Sequence, residues 1–137
     1  MKNVLIALSL LLSAVTAQAG EYRYVEPQEM KSWLESGKEF VLVDIQPAKD
    51  FSRQHFAGAI ETNAFPVETP EEQQRLDVAV AAAKDNTKDV VVVCPRGKGG
   101  AKRTYDYLKA AGVAEERLYI LANGMDGWPF KELVNGK

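Results

Sequence analysis

Histidine and cysteine each occur once in this chain of 137 residues, as His55 and Cys94. A structural or catalytic zinc site draws on three or four nitrogen and sulfur ligands, so no metal site is expected, and nothing in the sequence points to a cofactor. A single cysteine also cannot close an internal disulfide. No excess of either charge is present: 17 Lys and Arg stand against 19 Asp and Glu, a net charge of −2. That balance provides no basic field for nucleic acid or for a membrane surface, so neither is expected as a partner. The Gly-x4-Gly-Lys-Ser/Thr pattern of a nucleotide P-loop is missing, and so is a Gly-x-Ser-x-Gly nucleophile turn. Internal repeats and low-complexity segments are absent after residue 19.

Long apolar runs are scarce, and the one that exists lies at the start, in "MKNVLIALSLLLSAVTAQA". It spans about 14 residues, whereas a membrane span needs about 20. Lys2 supplies a positive flank, Val4 to Leu12 the apolar centre, and Ala17-Gln18-Ala19 a small-x-small cleavage pattern. Residues 1–19 therefore read as a secretory signal peptide and residues 20–137 as one domain, periplasmic or secreted, with no membrane attachment after cleavage. In an oxidising compartment a leftover thiol is a liability unless it is buried, paired with another chain or used. Cys94 needs an explanation of that kind.

After the signal, strand and helix patterns alternate. Pro27 opens a helix carrying Met30, Trp33 and Leu34, which Gly37 closes. "EFVLVD", residues 39–44, has the length and composition of a strand; "PAKDFSRQ" suits a short helix, and the chain returns to a strand near Ile60. Thr69-Pro70-Glu71-Glu72 is a capping box, followed by Leu76, Ala79, Val80 and Ala83 at helical spacing. "DVVVV", residues 89–93, is apolar on both faces and reads as a central parallel strand. Ala101, Tyr105, Leu108 and Ala111 mark a helix face that Gly112 ends; "RLYIL" is a last strand, before a turn and a short helix. Such alternation predicts an α/β domain with a mainly parallel sheet covered on both faces. Ligands of such sheets bind beyond the carboxyl ends of the strands, where Cys94 falls.

The segment after the valines reads "CPRGKGGAKR". Gly97, Gly99 and Gly100 permit positive φ, which lets successive backbone N–H groups converge on one centre. The following helix, starting near Gly100 or Ala101, adds its free N–H groups and partial positive charge. Arg96 and Lys98 add cations, and no acid occurs between Asp89 and Asp106. The expected result is an anion cup with Cys94 at its edge. A helix N-terminus favours an anion by about 0.3–2 kcal/mol, so the thiol is expected to titrate below its usual value near 8.5. A nucleophile and an anion site then coincide with no separate general base. The plainer reading of the same residues is a small hydrophobe that ends a valine strand, with glycines that only turn the chain.

These residues resemble the rhodanese family of sulfurtransferases in its single-domain form, over about residues 22–130. The family's Cys-x2-Gly-x2-small pattern and its helix stand here as "CPRGKGGAKRTYDYLKAAG"; its late glycine turn and Gly-Trp-Pro as "ILANGMDGWP"; its early Asp-x-Arg and Gly-His-Ile-Pro-Gly-Ala as "VDIQPAKDFSRQHFAGAI". The resemblance implies a three-layer α/β/α domain with a mainly parallel sheet of about five strands. It implies a thiosulfate sulfurtransferase in which Cys94 is catalytic and carries a persulfide. The donor would be a small sulfur anion such as thiosulfate or polysulfide, and the acceptor a thiol or cyanide. The loop from Cys94 would bind substrate through Pro95, Arg96, Gly97, Lys98, Gly99 and Gly100. A carrier that holds a persulfide for a partner protein is the alternative the same residues allow.

Several positions depart from the family pattern. Gln46 replaces the early Arg, Gln54 and Ala57 flank His55 where Gly and Pro are usual, and Pro95 removes one N–H from the loop. Related cysteine phosphatases and arsenate reductases need Cys-x5-Arg to clamp a tetrahedral oxyanion; that offset here is Gly100, and the next arginine is Arg103. His55 is expected to order its own segment and Asp44 to tie down the loop after its strand. Trp128 is expected to be core, with pocket wall as the alternative, and Lys102 and Arg103 to be solvated helix-face charges, with a wider positive field at the site as the alternative.

Overall fold

A computed structural model describes residues 21–136. The expected signal peptide, residues 1–19, lies outside the described residues. Five strands form one parallel sheet: β1 (Tyr24–Val25), β2 (Phe40–Asp44), β3 (Ile60–Glu61), β4 (Asp89–Val93) and β5 (Leu118–Leu121), in the spatial order β1-β5-β4-β2-β3. Around it lie α1 (Pro27–Ser36), α2 (Ala48–Arg53), α3 (Pro70–Gln74), α4 (Asp77–Lys84) and α5 (Gly99–Ala110). The expected α/β class and strand number hold.

Why β4 is central follows from its side chains. Val90, Val92 and Cys94 join one buried cluster with Val43, Leu76, Ala79, Ala101, Tyr105 and Leu108. Val91 and Val93 join the other with Met30, Phe56, Met125 and Trp128. A strand buried on both faces reads as a continuous apolar run, and its neighbours β2 and β5 pair with it in parallel register. From β2 the chain continues to β3 on one side, and from β4 to β5 on the other. The crevice between the carboxyl ends of β2 and β4 is therefore a topological switch point, the place where such sheets bind ligands. Asp44 ends one strand there and Cys94 follows the other.

Helix ends follow their chemistry. Pro27 stands in the first turn of α1, and Gly37 closes it at φ 79°. The Thr69–Glu72 capping box forms in full at α3. The helical pattern over 70–83, however, is split in two. At Arg75 and Leu76 the ladder tightens, with Arg75 N–H shared between Glu71 and Glu72 and Leu76 N–H bonded to Gln73. The break lets Leu76, Ala79 and Ala83 reach the core while the Arg75 guanidinium bonds the Asn63 carbonyl at 2.9 Å. Among the described residues no helix is long and apolar enough to cross a membrane.

Candidate active site

Cys94 is the first residue past β4, and its side chain lies on the α5 side of the sheet, 2% exposed. The loop after it does not use its three glycines alike. Only Gly97 has positive φ, at 72°. There the chain turns back, and the Gly97 N–H donates to Cys94 Sγ at 2.8 Å. A Cβ on Gly97 would stand 2.9 Å from Asn123 N and 3.0 Å from Leu121 O, so the position also requires close backbone approach. Gly99 and Gly100 are already helical, which corrects the expectation of a loop through Gly99 with helix from Gly100 or Ala101. Their bareness serves packing. A Cβ on Gly99 would meet the Arg103 guanidinium at 3.1 Å, and one on Gly100 the Phe65 ring at 3.0 Å.

The loop is braced from behind by the segment after β5. Met125 N–H donates to the Cys94 carbonyl and Asp126 N–H to the Pro95 carbonyl, both at 2.8 Å. Gly124, at φ 63°, lies so close that a Cβ there would collide with the Cys94 carbonyl and stand 2.6 Å from Arg96 N. The late glycine turn is thus the platform that holds the cysteine loop. Trp128 behind it is core, edge-on to Phe56 with centroids 4.9 Å apart, and donates its indole N–H to Phe130 O.

Two opposing effects act on the thiol. Burial pushes it up, while backbone N–H groups of Gly97, Arg96, Lys98 and Ala101 pull it down; burial is the larger, so Cys94 titrates above its ordinary value. The expected acidic thiol is corrected: the cradle is present, but the sulfur it holds is withdrawn from water. Asp44 shows the same physics. It is fully buried, accepts bonds from Gln46 N (2.9 Å) and Gln46 Nε2 (3.0 Å), and is pushed up to about 6 because burial outweighs those bonds. Gln46, standing where the family arginine was expected, also donates to Gln54 O at 3.1 Å. It joins the end of β2 to the end of α2 with no ion pair.

A cavity of about 240 Å³ opens over the thiol, lined by Cys94, Arg96, Lys98, Gly99, Gly100, Phe65, Pro66, Glu68 and Arg103. Of the predicted loop residues, Arg96, Lys98, Gly99 and Gly100 line it with Cys94. Gly97 acts through its N–H, and Pro95 through the carbonyl that the 126 amide holds. Arg96 and Lys98 are exposed and pair with no carboxylate among the described residues. His55 keeps to its segment, stacked on Phe51 and bonded to Phe51 O at 2.8 Å, with its backbone bridged to Asn135. Lys102 is solvated and lies over the Tyr22 ring. Arg103 stays partly solvated and also lines the cavity, as the alternative expectation had it; so do Phe65, Pro66 and Glu68, which sequence reading passed over. No group of three or more His, Cys, Asp or Glu among the described residues could hold a metal ion.

A parallel α/β sheet that presents one thiol at its switch point, with the Gly97 N–H on its sulfur, defines a class of single-cysteine α/β domains. The chain belongs to the rhodanese-like domain family, whose model matches residues 26–130. Membership places it in a superfamily of sulfurtransferase type. Solved structures agree on the fold. A rhodanese-like domain protein from Staphylococcus aureus is 20% identical, with 84% of this chain and 98% of that one covered and a TM-score of 0.62. The rhodanese-like domain of an Anabaena protein is 19% identical, with 85% and 81% covered and a TM-score of 0.61. An As-Sb reductase from Leishmania major is 18% identical, with 85% and 87% covered and a TM-score of 0.61. Comparison with the curated proteins finds no match.

Proposed function

We propose that this protein is a sulfurtransferase that moves sulfane sulfur from thiosulfate or a polysulfide, through a persulfide on Cys94, to a thiophilic acceptor. The observation that carries the reading is the Cys94 sulfur itself. It accepts the Gly97 N–H at 2.8 Å at the floor of a cavity whose rim bears Arg96, Lys98 and Arg103.

In the first half-reaction the thiol gives its proton to solvent. The thiolate attacks the outer sulfur of thiosulfate; a new S–S bond forms, the old one breaks, and sulfite leaves with the bonding pair. The product is a Cys94 persulfide anion. In the second, cyanide or a thiolate attacks the terminal sulfur and the Cys94 thiolate leaves. Total charge is conserved in both steps. A persulfide is more acidic than its thiol and extends one atom further from the strand. Amides that lose to burial at the resting sulfur therefore have an anion to hold once sulfur is loaded, which favours the intermediate over the free thiol. The cations at the rim attract a dianionic donor and stabilise the departing sulfite.

Export to the periplasm or beyond is part of the same reading and rests on Lys2, the apolar run and Ala17-Gln18-Ala19. A carrier that loads once and awaits a partner protein is the second reading, favoured by the 2% exposure of Cys94. Thiocyanate release from thiosulfate and cyanide separates the two. An enzyme gives many turnovers per protein, and Cys94→Ser gives none. Sulfur loading without thiocyanate turnover identifies a carrier, and neither loading nor release from the wild type with either donor contradicts sulfur transfer.

A further inference from the structure

Arg103 lies nine residues beyond the cysteine, outside the active-site loop and inside α5. Even so, it lines the Cys94 cavity. Three features bring it there. Gly99 has no side chain, which leaves the space a Cβ would contest at 3.1 Å from both Nη1 and Nη2. The Nε–H donates to the Pro66 carbonyl at 3.1 Å. Nη2 meets the Glu68 carboxylate at 3.3 Å. The segment that supplies these two acceptors is held in an unusual shape. Val67, β-branched and fully buried, sits at φ 63° with its N–H on Ala64 O, and Glu68 N–H is fixed by Glu72 Oε1 at 2.8 Å. A β-branched residue in the left-handed region is a true outlier. It is the bend that aims the Pro66 carbonyl and the Glu68 carboxylate at Arg103.

The guanidinium has five N–H donors in a fixed fork. Pro66 takes one and Glu68 engages Nη2, while Nη1 has no partner among the described residues. The ion pair is half-exposed on one side and more on the other, a setting in which such pairs are weak and exchangeable. Glu68 reaches only Nη2, whereas a small oxyanion with two or three oxygens can engage both terminal nitrogens of the fork.

We propose that Arg103 is a donor-binding residue of the Cys94 cavity, and that Glu68 is its resting counter-ion, displaced by the sulfonate end of an anionic donor. This role rests on the sulfur-transfer reading above and names the donor class as small oxyanions of sulfur rather than neutral polysulfanes. Pro66 keeps the guanidinium in place during the exchange, so the charge arrives already oriented. Arg96 and Lys98, both exposed, attract the donor from solution; Arg103 fixes it.

Alkylation of Cys94 tests the assignment without any sulfur chemistry. Iodoacetate is anionic and iodoacetamide is neutral, and the two are nearly equal in size. Any change in access or in thiol acidity alters both rates together, so their ratio reports anion binding alone. Arg103→Ala should lower the iodoacetate-to-iodoacetamide ratio about fivefold at low salt, Arg103→Lys should retain part of it, and Glu68→Gln should raise it. Thiosulfate should protect Cys94 from iodoacetamide in the wild type, and more weakly in Arg103→Ala. If Arg103→Ala unfolds, Arg103→Lys with Glu68→Gln still gives opposite shifts of the ratio. An unchanged ratio in the Arg103 variants, with a lowered Tm, would make Arg103 a structural pin between α5 and Pro66 and overturn its donor role. The two readings also fail separately. An Arg103-dependent ratio without sulfur loading from thiosulfate or polysulfide removes sulfur transfer and keeps the anion subsite; loading with an Arg103-independent ratio does the reverse.

Discussion

At the scale of single residues, two buried acids lie at the switch point and both are held toward their neutral forms. For Cys94, burial outweighs four backbone amides. Thiolate is the nucleophile, so sulfur uptake should quicken as pH rises through the neutral and mildly alkaline range. The iodoacetamide rate of Cys94 should reach half its plateau above the free-thiol value near 8.5; a half-plateau below that value would mean that the amides win. Asp44 rises from 3.8 to about 6. A raised acid contributes stability below its unfolded value and loses it as pH climbs through the folded one. The wild type should therefore lose up to about 3 kcal/mol between pH 4 and pH 7 relative to Asp44→Asn. Denaturant titrations of the pair at both pH values check this, and parallel curves would refute it. Cys94 was legible in the sequence because a lone thiol after a valine strand is conspicuous. Arg103 was legible only as a charge near the site; its contacts with Pro66 and Glu68 were not, because no periodicity in α5 reveals them. The direction of the Cys94 shift was missed for a similar reason: charge near a loop shows in a sequence, whereas loss of water depends on packing.

Secondary elements show the same division between local and distant causes. Helix starts at Pro27 and Thr69 were readable because proline and the capping box act within one turn. The split between α3 and α4 was hidden, since Leu76, Ala79 and Ala83 keep helical spacing on either side of it. β1 has two residues, too few to carry a period, whereas the equally short β3 falls where a strand was expected near Ile60. The glycines of the cysteine loop looked alike in sequence and differ in structure. Gly97→Ala should destabilise the domain by about 1–3 kcal/mol, because it forces positive φ on a residue with a Cβ and crowds Asn123 N. Gly99→Ala should be neutral or gain up to about 1 kcal/mol from helix propensity, because the atoms it meets belong to the flexible end of Arg103. It should still raise KM for an anionic donor by pushing the guanidinium aside. Thermal melts beside donor kinetics separate the two variants; equal loss of stability in both would contradict the distinction.

The whole molecule places one buried thiol where every layer converges. The sheet order brings the ends of β2 and β4 together, α5 begins beneath the thiol, and the turn after β5 clamps the loop through the Cys94 and Pro95 carbonyls. Three segments far apart in sequence therefore share one task, which is why three short signatures in order were enough to anticipate the architecture. Export belongs to this scale as well: protein taken from its native host should begin at or near Gly20, and N-terminal sequencing that finds Met1 on the soluble form would oppose it. The central claim is that this assembly lets Cys94 carry sulfur, and intact mass spectrometry reads it directly. Incubation with thiosulfate or polysulfide should add one sulfur atom, about 32 mass units, to the wild type and nothing to Cys94→Ser. Cyanide should then remove it. A wild-type mass that stays unchanged under both donors would contradict the account and leave Cys94 as a packing residue at the end of β4.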